Sequence, residues 1–222
     1  MTRSHAKGSK TMAPKVEEPK AEATAVGQRG PVEHERREQI LEAAGKYFLR
    51  FGYNKTTVAD LAKAIGVSTA YIYKFFESKQ AIGEAVCAAT LGHIAAELKK
   101  LSSKERSAAD RLRSVYKNLA QLSVAQLFHE RTLHDLAATA CLEKWQATKD
   151  YEASLFEIVR EIIVLGREAG EFEKKTPIEE ACRAILQTME LFWVPMFLEQ
   201  NFDDLSNRAQ SVANLALRSL AP

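Results

Sequence analysis

Residues 57–76 read TVADLAKAIGVSTAYIYKFF. Two short helical patterns meet here across Gly66-Val67-Ser68. Thr57 is placed to cap the first, and Asp60 adds negative charge near its start, where the helix dipole favours it. Gly66 stands where the turn needs a positive φ. Ala62 is small where the second helix must come close. Leu61, Ile65, Val67, Ile72 and Phe75 are spaced to fill the wedge between the two. Ser68 caps the second helix and leaves its first turn free. A tight, steeply crossed pair with a free first turn is a helix-turn-helix, and that first turn is the part that enters a DNA groove.

Working outward, residues 32–51 place Ile40, Leu41, Ala44, Tyr47, Phe48 and Phe51 on one helical face, and Gly52 ends the run. Ser78 caps a long helix reaching about Leu101. Helical patterns follow over about 108–125, 130–141 and 143–168, the last with Tyr151, Leu155, Ile158, Ile162 and Leu165 inward and Gly170 as its stop. Thr176-Pro177-Ile178-Glu179 reads as N-cap, N1 proline and N3 acid of a helix reaching about Gln200. A final helix starts at Asp203 or Asp204 and ends near Leu220. The expected fold is all-α, with about nine helices. A three-helix DNA-binding domain spans 33–94, and a larger helical domain for ligand binding and dimerisation spans 95–222.

Residues 1–32 have few large apolar side chains and read as a disordered arm. Its first ten residues carry Arg3, Lys7 and Lys10 without an acid. The arm reads either as a strand of charge that tracks DNA, as a solubilising tail, or as a stretch ahead of a translation start at Met12. Net charge is only +2, but it is unevenly spread. Residues 1–83 hold 14 Lys/Arg against 9 Asp/Glu, whereas the remainder holds 17 against 20. The basic excess lies with the helix-turn-helix, as phosphate contact requires. No run of about 18 apolar residues predicts a membrane span, and no apolar segment follows the basic N-terminus as a secretory signal would need. Cys87, Cys141 and Cys182 form no CxxC pair. They read as buried thiols in a reducing cytoplasm, with a redox sensor as the alternative.

Residues 37–83 resemble the DNA-binding domain of TetR/AcrR-type transcriptional regulators. The resemblance rests on Ile40-Leu41, Ala44, Phe48, Gly52, Thr56-Thr57-Val58, Leu61-Ala62, Gly66-Val67-Ser68, Ile72-Tyr73, Phe76 and Ser78-Lys79. It implies a homodimer on a palindromic operator. Carried onto matching positions, it implies that Thr57, Tyr73 and Lys79 hold phosphates, that Thr69, Ala70 and Tyr71 face base edges, and that Ser68 touches phosphate as well as capping. Two positions depart from the family's pattern: Ala70-Tyr71 stands where Gly-Thr is common, and Phe75 where His is common. Lys74 projects outward, either to a phosphate or to solvent.

The C-terminal helices suggest two further roles. Ile178, Cys182, Ile185, Met189 and Met196 recur at heptad spacing and are expected at a dimer interface, an intramolecular core being the alternative. Tyr116, Phe128, Trp145, Phe156, Met189, Phe192 and Trp193 are candidates to line an effector cavity, or else ordinary core. The resemblance suggests an apolar or amphipathic small molecule there. His129-Glu130-x-x-x-His134 misses the zinc-helix spacing by one residue, so the two imidazoles face different sides of a helix. No cofactor motif occurs, and no constellation supports an enzyme. The reading is therefore an effector-responsive repressor, with a DNA-binding interaction protein that regulates a protein partner as the alternative.

Overall fold

The computed structural model describes Met1, residues 31–127 and residues 131–222, and all regular structure among them is helical. The N-terminal arm up to residue 30, and Phe128, His129 and Glu130, lie outside the described residues. The elements are α1 (Pro31–Phe51), α2 (Val58–Ile65), α3 (Thr69–Tyr73), α4 (Lys79–Ser102), α5 (Ala108–Leu127), α6 (Arg131–Leu142), α7 (Gln146–Glu168), α8 (Ile178–Met189), α9 (Pro195–Asn201) and α10 (Leu205–Ser219). Short 3₁₀ turns, Glu190–Phe192 and Phe202–Asp204, flank α9.

The expected boundary at residues 94/95 falls inside α4, which runs unbroken. One buried cluster extends from Ile40 in α1 to Leu220 after α10, so both halves share a core. By length and composition α4 is apolar enough to cross a membrane. Here Ile82, Val86, Leu91, Ile94 and Leu98 instead bury it as the central column between α1, α5, α6 and α7. Burial pushes the Cys87 thiol up to about 12, and those of Cys141 and Cys182 up to about 11. All three are free, and their thiolates are disfavoured, which is the opposite of a reactive cysteine's setting.

Three expectations change. Leu165 is 42% exposed, because Phe172 folds back over Gly166 and takes the inward place beside it. The helix start shifts by one: Pro177 has φ −54° and ψ 140°, outside the helix, so Pro177 and not Thr176 is the N-cap. The helix expected to reach Gln200 breaks after Met189. Pro195 has no N–H to donate and drives Val194 away from helical geometry, so the chain makes a 3₁₀ turn and restarts at α9. The heptad therefore does not run along one helix. Cys182, Ile185 and Met189 are buried within their own chain, where α8 packs on α7, and offer no surface to a partner. Ile178 is half-buried and only Met196, at 55%, stands out.

The two halves meet at Gly83. A Cβ there would lie 2.6 Å from Tyr53 Cε2, 3.1 Å from Trp145 Cη2 and 3.2 Å from Leu136 Cδ1. Gly92 on the same helix faces open space. Alanine ordinarily stabilises a helix interior by about 1 kcal/mol over glycine. Overpacking a core costs about 1–3 kcal/mol. Urea unfolding should therefore show Gly92→Ala raising the midpoint and Gly83→Ala lowering it.

Candidate nucleic-acid interface

The helix-turn-helix is built by caps. Asp60 N–H donates to Thr57 Oγ1 at 3.2 Å, and Thr57 N–H returns a bond to Asp60 Oδ2 at 2.9 Å. The Thr57 hydroxyl also donates to Asp60 Oδ2 at 2.6 Å. Bonds from the Thr57 hydroxyl and backbone hold the Asp60 carboxyl below its ordinary range. α2 closes on Gly66 at φ 75°, with Val67 N–H reaching back to Ala62 O at 2.9 Å. Ser68 Oγ then accepts from Tyr71 N–H at 3.1 Å and starts α3. Leu61, Ala62, Ile72 and Phe76 are buried in the wedge, and Ile65, Val67 and Phe75 pack at its edge.

This leaves Ser68, Thr69 and Ala70 exposed at the first turn of α3, with Tyr73 and Lys74 exposed behind them. Tyr71 is half-buried, its ring 5.3 Å from that of Phe75. The family's histidine position is thus filled by a ring that steadies Tyr71. The sequence expectation for Thr57 meets competition: its hydroxyl proton is already given to Asp60, so a phosphate would have to displace that bond. Ser68 accepts from Tyr71 and keeps its proton for an incoming oxygen. The Lys79 ammonium sits 4.3 Å from the Tyr53 ring centre, and partial burial lowers its pKa. Arg37, not singled out from sequence, lays its guanidinium 4.8 Å over Phe76 and lines a shallow pocket with Tyr73 and Lys74. Only its long-range contact with Phe76 marks it.

The residues expected around an effector divide into two groups. Tyr116 and Phe192 are fully buried with ring centres 6.1 Å apart, and Tyr116 Oη shares a 2.6 Å hydrogen bond with Thr188 Oγ1. Met189 is buried, Phe156 is partly so, and Trp193 packs edge-on to Tyr151 at 5.3 Å. Trp145 stands apart from these. It meets Tyr53 edge-on at 5.6 Å and donates to Glu143 Oε2 at 2.8 Å, so it belongs to the junction over Gly83. A groove of about 590 Å³ runs over the outer surface between α5 and α10, among Lys104, Arg113, Lys117 and Gln210.

Among known proteins, residues 40–86 match the family of bacterial regulatory proteins called tetR, and residues 108–213 match the tetracyclin repressor-like C-terminal domain. The chain is 45% identical over 47 residues to the HTH-type transcriptional repressor Rv1474c of Mycobacterium tuberculosis. That match spans 21% of this chain and 25% of the relative. A transcriptional regulator from Cytophaga hutchinsonii superposes with a TM-score of 0.64 at 23% identity, covering 84% of this chain and 99% of that one. The transcriptional regulator FadR from Bacillus subtilis, in complex with stearoyl-CoA, gives 0.63 at 21%, covering 82% and 98%. At these identities the two structures speak for the fold.

The capping box should weaken in acid. A carboxyl held below its unfolded pKa contributes stability above about pH 4 that fades as pH falls through the folded value. Asp60→Asn keeps the acceptor and loses the titration. Its stability should depend less steeply on pH below 4 than the wild type's, as followed by helical circular dichroism in denaturant.

Proposed function

We propose that this chain, which belongs to the TetR family of bacterial regulatory proteins, represses transcription as a homodimer that grips a palindromic operator and releases it when a small effector binds the C-terminal helices. The observation that carries the reading is the exposed, serine-capped first turn of α3. It is wedged by Leu61 and Ile72 and flanked by Lys74, Tyr73 and Lys79. Thr69, Ala70 and Tyr71 would meet base edges, while Ser68, Tyr73, Lys74, Lys79 and Arg37 would meet phosphate. In a dimer the two α3 helices would enter grooves about 34–36 Å apart.

The heptad residues of α8 are spent on their own core, so the dimer face falls to apolar side chains left outside. Met196 and Phe197 on α9 and Leu215 on α10 are 55%, 36% and 68% exposed. An apolar or amphipathic effector is supported by the aromatic core around Tyr116 and Phe192, and FadR of similar fold was crystallised with stearoyl-CoA. For release, the effector must prefer the conformer whose α3 helices no longer fit the groove spacing.

Genome-wide binding of the purified protein to fragmented DNA tests this. A short palindrome beside promoters supports it, and only salt-sensitive, sequence-independent binding sinks it. On the operator found, Tyr71→Ala should change base preference. Lys79→Ala should weaken all sequences alike and reduce the salt slope by about 1. Sedimentation should show a dimer that Met196→Asp shifts toward monomer with its helical content intact.

A further inference from the structure

We propose that Tyr151 Oη and Trp193 Nε1 form the polar recognition pair of a ligand site between α7 and the turn after α8. Its ligand is an uncharged, largely apolar molecule bearing a hydrogen-bond acceptor. This deepens the effector reading above and rests on it.

Three observations converge. First, both side chains are buried, at 3% and 8% exposure, with their rings in edge-on contact, and neither polar atom has a hydrogen-bond partner among the described residues. Buried donors in folded proteins are nearly always paired, by protein, water or ligand. Two unpaired donors on touching side chains mark a place where an acceptor is missing. Burial raises the Tyr151 hydroxyl pKa, so it stays protonated and keeps a proton to donate.

Second, Trp193 rides on irregular backbone. The helix of α8 ends in a 3₁₀ turn, Trp193 sits at φ −138° and ψ −21°, and Pro195 begins the next helix. A short 3₁₀ stretch inside an otherwise helical run often marks a functional hinge.

Third, the surroundings select against charge. Burial alone raises the Tyr151 hydroxyl pKa, and no charged neighbour among the described residues contributes to it. The Arg167–Glu173 pair lies sixteen residues further along α7, about 24 Å by helix rise. A carboxylate or phosphate placed beside Tyr151 would lose its hydration with no cation among the described residues to receive it. A plain hydrocarbon would leave both donors unpaired. A ketone, ester or lactone on an apolar body satisfies both conditions.

Three probes of one length separate these cases on the full-length protein: nonan-2-one, nonane and nonanoate, each titrated by calorimetry. The ketone should bind about tenfold tighter than either of the others, the margin expected of a hydrogen bond to a buried donor. Tyr151→Phe should reduce the ketone to the level of nonane, and Trp193→Phe should weaken it. Without ligand, Tyr151→Phe should melt a few degrees higher than wild type, because it deletes an unpaired buried hydroxyl. A lower melting point would show that the hydroxyl is already paired and would overturn the proposal. So would equal affinity for the three probes, no binding of any, or ketone binding that Tyr151→Phe leaves intact. Operator affinity is read separately. Ketone that binds as expected yet leaves operator affinity unchanged would sink the effector-responsive reading and keep the site.

Discussion

Around Gly83 three elements distant in sequence occupy the volume a single Cβ would fill. Tyr53 comes from the loop after α1, Leu136 from α6 and Trp145 from the start of α7. Each is anchored on its far side. Tyr53 packs edge-on to Phe48 at 5.2 Å and carries the Lys79 ammonium over its face. Glu84, next to Gly83, accepts from Gln146 N–H at 2.6 Å, so a carboxylate of α4 caps α7. The DNA-facing helices therefore do not hang from the rest by a flexible linker. They are seated on α6 and α7 through packed contacts, the most crowded of them at Gly83, and crowded contacts have discrete arrangements instead of graded ones.

That constraint would give the proposed regulation a physical route. A shift of α6 or of the α7 start moves the seat of Tyr53, and Tyr53 holds Lys79 at the foot of α4. Tyr151 lies six residues beyond Trp145 on α7, between one and two helical turns. A ligand that orders Tyr151 and Trp193 would act on the same helix whose first turn grips the DNA-binding half. Spatial order alone does not make a pathway. The physical content is an element with two packings whose balance both sites bias, and the Gly83 contact is one element that touches both halves.

The helix-turn-helix was legible from sequence because everything that defines it is local. Thr57, Asp60, Gly66, Ser68 and Ser78 each act within three or four residues, and the structure places caps at Thr57, Ser68 and Ser78 as expected. The misreadings came where a local pattern was overruled at long range. Apolar spacing through Cys182, Met189 and Met196 runs on undisturbed across the break, so periodicity alone wrote one helix where Pro195 ends it. For Trp145 the sequence left cavity and core both open, because the partner that decides for core, Tyr53, belongs to the other half. Leu165 yielded its inward place to Gly166 because of Phe172, beyond the helix end. Arg37 had no signal until the fold laid it on Phe76.

The two candidate sites also differ in how they treat polar groups, and the difference explains their ligands. At the DNA face Ser68, Thr69, Tyr73 and Lys74 are exposed, so each keeps its hydration until a phosphate or base replaces it. Nothing there needs to be paired in the free protein, and binding is correspondingly sensitive to salt. Behind α8 the donors of Tyr151 and Trp193 are cut off from water and have no partner among the described residues. A site that holds unpaired donors in an apolar setting rewards one uncharged acceptor strongly and rejects analogues that lack it. Selectivity at the operator would come from matching shape and base edges over two half-sites, whereas selectivity for the effector would come from one buried oxygen.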